Sequence, residues 1–215
     1  MKTDRSKVKR VPKRASYDKE TVYRILDKEC VCQIGFVHED HPIVIPTIYG
    51  RDGDKLYFHG ANVSRMLKSM EEGLPISINV TRTNALVLAR SAFHHSLNYE
   101  SVTLFGKARL VESDEDKLHA LKVVSDQVLE GRWEEVRQPN TKELNVTKVM
   151  EFEIAEGAAK IRDEGVNDDK EDYQLDIWAG LLPIQRSYGA AIPDPKLDDK
   201  TKLAASVKGQ EGKKV

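Results

Sequence analysis

The chain has 215 residues, with 34 Lys plus Arg against 35 Asp plus Glu, a formal net charge of −1 and a hydrophobic fraction of 40%. Such a balance offers no global field for nucleic acid or an anionic membrane, and no apolar run approaches the length of a membrane span. A basic start with no apolar stretch behind it carries no signal-peptide pattern, so the expectation is a soluble cytoplasmic protein able to bury a substantial core.

Residues 1–15, with K-V-K-R-V-P-K-R, read as a flexible basic arm without the aromatic interleaving of a nucleic-acid binder. Asp18 or Ser16 then caps a helix to about Glu29, with Val22, Ile25 and Leu26 on one face. Cys30–Val37 alternates as a strand. Its two cysteines are not spaced as C-x-x-C, and on a strand they sit about 6.5–7 Å apart, which favours two buried thiols over a disulfide, a redox pair or a metal site. His38 and His41 flank a turn, but no acidic ligand pattern completes a metal site there. Pro42–Gly50 and Lys55–His59 read as the next strands, joined by R-D-G-D, since Asp-Gly readily takes the positive φ of a tight hairpin turn.

Asn62 is the expected cap of a short helix with Met66, Leu67 and Met70 on its face and Gly73 at its end. Ser64 and Arg65 in the first turn would join a hydroxyl, free backbone N–H groups and a guanidinium in a phosphate cradle. Pro75–Thr81, Leu86–Ala89 and Ser101–Val111 read as strands. Between the last two, Arg90–Glu100 holds two histidines, an arginine, an asparagine and a tyrosine with no Gly or Pro. It reads as an ordered polar loop lining a ligand pocket rather than a simple turn.

Ser113 caps a helix with an acidic first turn that ends by Gly131, and Thr147–Ile161 reads as one long strand bent at Gly157. Asp163–Asp172 reads as a mobile acidic loop. The following Y-Q-L-D-I-W-A-G-L-L-P-I is apolar enough to dock back onto the domain, and composition predicts disorder over 193–215. Six or seven strands with hairpin-scale connections and few helices predict a mainly β, antiparallel barrel with helices outside it, in a single domain over 16–192. The absence of G-x-G-x-x-G, Walker-type and G-x-S-x-G motifs leaves no Rossmann, P-loop or hydrolase reading.

Three segments carry a resemblance: I-P-T-I-Y-G-R-D-G-D-K-L-Y-F-H-G-A-x-x-S-R, L-V-L-A-R-S-A-F-H-H-S-L-N-Y-E-S-V-x-x-F-G and W-A-G-L-L-P. In this order, over about Pro12–Ile184, the chain resembles the pyridoxamine 5′-phosphate oxidase-like flavin-binding proteins, and most of all their nitroimidazole-resistance branch. The resemblance implies a split β-barrel homodimer holding FMN in clefts at the subunit interface. It implies that Ile45, Pro46, Thr47, Ile48 and Tyr49 run along the flavin ring, with His59 and Gly60 beside it. Ser64 and Arg65 would hold the phosphate, Ser101 would make a polar contact, and Trp178 would close the partner's site. His95, Asn98 and Tyr99 belong to the branch's own loop, and one of His94 and His95 is expected to be structural. Met66 stands where the oxidases usually carry a phosphate-binding lysine, which leaves Arg14 or Arg90 as substitutes. The function implied is an FMN-dependent oxidoreductase acting on a small molecule. The alternative is a flavin-binding module that stores or senses the cofactor without turnover. Activity on pyridoxamine phosphate itself is disfavoured, because no Arg-x-His-type clamp ends the chain.

Overall fold

The computed structural model describes residues 1–198 and 200–215. Eleven strands form two antiparallel sheets. In chain order they are β1 (Ala15–Ser16), β2 (Val31–His38), β3 (His41–Ile48), β4 (Gly50–Asp52), β5 (Lys55–Ala61), β6 (Ile76–Leu88), β7 (Ser96–Gly106), β8 (Ala108–Leu110), β9 (Thr147–Glu153), β10 (Glu156–Arg162) and β11 (Gly180–Pro183). The larger sheet runs β1-β10-β7-β6-β2-β3 with β11 also beside β6, and the smaller runs β4-β5-β9-β8. Helices α1 (Lys19–Leu26), α2 (Arg65–Glu71), α3 (Asp114–Val128), α4 (Thr141–Asn145) and α5 (Ala205–Lys208) complete the described elements. This is the mainly antiparallel architecture that the hairpin spacing predicts, with more strands than the six or seven expected, and it is consistent with the split barrel that the resemblance implies.

Local chemistry accounts for most boundaries. The Asp18 carboxylate accepts from the N–H groups of Glu20 and Thr21 to start α1, and Ser113 caps α3 through Asp116 N–H. The β2–β3 hairpin turns on Glu39 and Asp40, both at positive φ (48° and 60°), as a two-residue primed turn requires. Gly50 sits where a Cβ would come within 2.6 Å of the Val123 backbone, so α3 lies directly on the start of β4. The main core joins both sheets: Ile34, Ile78, Val102 and Leu104 from the larger, Leu56, Phe58, Met150 and Phe152 from the smaller. Val22, Ile25 and Leu26 of α1 and Leu67 and Met70 of α2 close it.

Three boundaries differ from expectation. Pro75–Thr81 and Leu86–Ala89 are parts of one 13-residue strand, β6, whose register shifts between Thr83 and Ala85. The buried side chains are Ile76, Ile78 and Val80 before the shift and Ala85 and Val87 after it, so the alternation changes phase and looks like two strands in sequence. Thr147–Ile161 is two strands in different sheets, β9 and β10, separated at Ile154–Ala155. Helix α2 begins after Ser64, while the Asn62 side chain donates instead to the Asn145 carbonyl (2.8 Å). Within 200–215 the chain forms α5, and Ser187 bridges to Lys214. The basic arm is also tied down: Arg5 pairs with Glu156 and lies over the Phe105 ring.

Candidate functional site

Strand β3 ends the order of the larger sheet, and its register with β2 sets Pro46 opposite Gln33 and Ile48 opposite Val31. Prolines at positions 42 and 46 suit an edge strand, where a missing N–H removes no interior ladder bond. Pro46, Thr47, Ile48, Val31 and His59 together line a cavity of about 440 Å³. A slot of mixed apolar and polar lining beside an edge strand, whose outward backbone groups can hydrogen-bond a planar heterocycle, is chemically suited to a flavin ring. Burial alone lowers the His59 pKa below its ordinary value, favouring a neutral imidazole in the cavity wall.

The other expected contacts divide. The Ile45 side chain packs toward the core. Tyr49 is fully buried, with its hydroxyl donating to the Leu26 carbonyl (2.6 Å) and its backbone N–H to the Cys30 carbonyl (3.0 Å), so neither its side chain nor its N–H faces a ligand. Gly60 lies against Leu67, where a Cβ would come within 3.0 Å of Cδ1. Ser64 and an exposed Arg65 follow the end of β5 at the start of α2, outside the cavity lining. Met66 is buried in the core, so the position of the oxidases' lysine points away from solvent. Neither suggested substitute is free: Arg14 is bound by Glu164 and Arg90 by Asp168 (3.1 Å). Ser101 and Tyr99 sit on the half-exposed face of β7, with the Ser101 hydroxyl donating to the Lys160 carbonyl (3.4 Å). Trp178 is 68% exposed, its indole lying against Gly180 ahead of β11.

The loop expected at Arg90–Glu100 is shorter, because β7 already begins at Ser96. A single 3-10 turn, Ala92–His94, fills it, capped by Ser91. Asn98 is buried: its amide donates to the Glu164 carbonyl, and its oxygen accepts from Arg162 and Glu164 N–H. These bonds tie β7 to the residues that follow β10. His95 Nε2 lies 3.2 Å from the Ala89 carbonyl. His94, His95, Phe93, Lys13, Arg14 and Arg162 border a second cavity of about 710 Å³. The segment following β10 is anchored beside it. Asp168, its side chain buried, accepts from the backbone N–H groups of Arg90 and Ser91 and from the Arg90 guanidinium. Burial would raise this carboxyl, but the Arg90 and Ser91 donors outweigh it and hold the pKa low. The sequence reading missed Asp168, because an acidic run reads as solvated surface, and Val31, whose contribution depends on strand register. Cys30 and Cys32 are free thiols; burial pushes Cys32 up to about 12, far from reactive.

Among the described residues no helix is long and apolar enough to cross a membrane. Comparison with known proteins agrees with the fold. The family model described as pyridoxamine 5′-phosphate oxidase matches residues 18–161. No curated protein matches the chain. A FAD and haem binding protein from Mycobacterium smegmatis shares 32% identity, covering 93% of this chain and 98% of that one, with a TM-score of 0.89. The flavocytochrome Anf3 from Azotobacter vinelandii shares 34% identity over 98% of both chains, with a TM-score of 0.91. A structure described as a candidate 5-nitroimidazole antibiotic resistance protein from Bacteroides thetaiotaomicron shares the fold alone, at 19% identity, 79% and 89% coverage and a TM-score of 0.59. With the family model covering most of the chain and two end-to-end relatives above 30% identity, this chain belongs to the pyridoxamine 5′-phosphate oxidase family.

Proposed function

We propose that the protein is a flavin-dependent oxidoreductase acting as a homodimer. The observation that carries this reading is the cavity between edge strand β3 and His59, in a chain that matches a flavocytochrome over nearly its full length. The resemblance read from the sequence motifs points to FMN, whereas the two end-to-end relatives are described as FAD-binding or as a flavocytochrome, which favours FAD. When bound, the flavin would supply hydride and single-electron chemistry; this chain's residues would bind and orient it. Pro46, Ile48 and Val31 would exclude water from one side of the ring. Neutral His59 would offer an uncharged donor or acceptor at the cavity wall, and Ser64 and Arg65 at the start of α2 would meet phosphate.

A second reading adds haem to the flavin, favoured by both relatives' descriptions. The cavity of about 710 Å³ offers an imidazole from His95 beside the apolar Phe93, Val11 and Val166. Dimerisation is supported by an unusual amount of exposed apolar surface. Val31, Val37, Val44 and Ile48 face outward from β2 and β3, and Leu175, Ile177, Trp178 and Leu182 do so from the 173–192 segment. A second copy would cover these patches and bring Trp178 to the partner's cavity.

Purified protein should be yellow. Mass spectrometry of the released pigment separates FAD from FMN, and a pyridine haemochromogen spectrum reports haem. Bleaching by NADH or NADPH and reoxidation by an acceptor separates an enzyme from a storage module. Arg65→Ala should weaken flavin affinity about tenfold to a hundredfold, the loss of a charge-assisted contact of about 1.5–3 kcal/mol. A colourless protein that takes up neither flavin on titration refutes the reading. Light scattering that finds a monomer with stoichiometric flavin refutes the dimer.

A further inference from the structure

Two short turns from distant parts of the chain bring three metal-ligating side chains together. The first is Ala92–His94, capped by the Ser91 hydroxyl, which accepts from Phe93 N–H. The second is Asp169–Asp172, closed by the Asp172 N–H donating to the Asp169 carbonyl (3.0 Å) and leading into the 3-10 turn Asp172–Gln174. A nitrogen of His94 and carboxylate oxygens of Asp169 and Asp172 all lie within 4.8 Å of one another. We propose that His94, Asp169 and Asp172 form a site for one divalent transition-metal ion of the zinc type, with its remaining positions open to water.

Three observations support the assignment. His94 Nε2 is buried and has no hydrogen-bond partner among the described residues, although Asp169 Oδ2 is only 3.2 Å away. Imidazole nitrogen and carboxylate oxygen thus lie at the separation of two ligands of one ion, in a contact that is not a well-formed hydrogen bond. The frame is also rigid, because Asp168 fastens the acidic segment to the backbone of Arg90 and Ser91 immediately ahead of His94. Ligands held in place before the ion arrives lose little freedom on binding it. Finally, the nearby Arg90 guanidinium is matched by Asp168 and lies over the Tyr173 ring (4.9 Å), and among the described residues neither Asp169 nor Asp172 is paired with a Lys or Arg, leaving their charges for a cation. One imidazole nitrogen and two carboxylates suit zinc and its first-row neighbours, and three protein ligands leave room for water.

This inference does not rest on flavin or haem binding. The test is equilibrium dialysis of the full-length protein against Zn²⁺ after chelator treatment, with metal content per chain read by mass spectrometry. One ion per chain is expected. His94→Gln and the double variant Asp169→Asn/Asp172→Asn should each weaken retention at least tenfold. His119→Gln, which removes the other close His–Asp contact (His119 to Asp52, 3.0 Å), should leave it unchanged. Asp169 is exposed, so Asp169→Asn alone provides a variant that spares the packed interior, and its melting temperature without metal should match the parent. Failure to retain stoichiometric Zn²⁺, or equal retention by the His94 and Asp169/Asp172 variants, overturns the site.

Discussion

The two ends of the larger sheet solve opposite problems. At the β3 end, side chains around the cavity are apolar or neutral and make few bonds to one another; Val31, Pro46, Ile48 and His59 form a wall with little else to do. Around β7 and β10, nearly every polar group is engaged. Asn98, Arg162 and Glu164 form one cluster, Arg90 and Asp168 another, and Glu100 accepts from Arg24 (2.5 Å) and Lys28 (3.2 Å) to bind α1 to the sheet. A stretch dense in hydrogen-bonding residues is therefore the more self-satisfied region here, with His94 Nε2 as an open group, and the quieter stretch is the one that leaves a cavity wall unengaged. Polar density in a sequence marks order as readily as it marks a site.

That contrast can be broken experimentally, starting where the largest effect is expected. Glu100→Ala removes the charged acceptor for two cations at a buried position, and should cost about 1.5–3 kcal/mol in urea unfolding while leaving flavin affinity intact. Burial would raise the Glu100 pKa, but Arg24 and Lys28 more than offset it and hold the carboxyl below its usual value. Its contribution is thus complete above about pH 4.5 and fades as pH falls through the lowered folded value, so the variant should flatten that part of the acid-unfolding curve. A parallel loss of flavin would show that the two ends are coupled.

Next comes Tyr49→Phe. The lost bond to the Leu26 carbonyl should cost about 0.5–1.5 kcal/mol, with unchanged cofactor content, because this side chain lies in the core. The smallest stability effect belongs to His59→Gln, within about 0.5 kcal/mol at pH 8, accompanied by faster flavin release in a stopped-flow assay. With the folded pKa of His59 lowered, neutral imidazole favours the native state. That contribution is fully present above about pH 6.5 and declines as pH falls through the folded value, a slope that the Gln variant should lack. If His59→Gln instead melted well below the parent at pH 8, its ring would be structural and the cavity reading would lose its polar member.

Most of the architecture was legible because it rests on short-range chemistry. Caps at Asp18 and Ser113, the β2–β3 turn and the alternation of β2 all follow from adjacent residues. The cavity was partly legible: Pro46 to Ile48 and His59 lie on motifs, but Val31 joins them only through the register of β2 with β3. The role of Asn98 could not be read locally, because its partners Arg162 and Glu164 arrive from β10 and the residues after it. Asp168 was hidden for the same reason. Its neighbours in sequence are acidic, and its neighbours in space are backbone N–H groups.

The phase change inside β6 also constrains how this chain can vary. Before Thr83 the even-numbered side chains face the interior; from Ala85 onward the odd-numbered ones do. Along the same strand the neighbour opposite β7 changes from β2, at Ser77–Asn79, to β11, at Ala85–Leu88, and the Asn84 carbonyl accepts from Ile184 N–H (2.9 Å). Asn84 thus works as a spacer between two independently phased half-strands. Losing this one residue, which lines neither cavity, would place Ala85 directly after Thr83: Ala85 and Val87 would still face in, but the bulge would be gone, and with it the carbonyl that receives Ile184 N–H. A single-residue gap at this point in any relative should therefore keep the 85–88 burial pattern and alter the junction between β6 and the residues that follow β11.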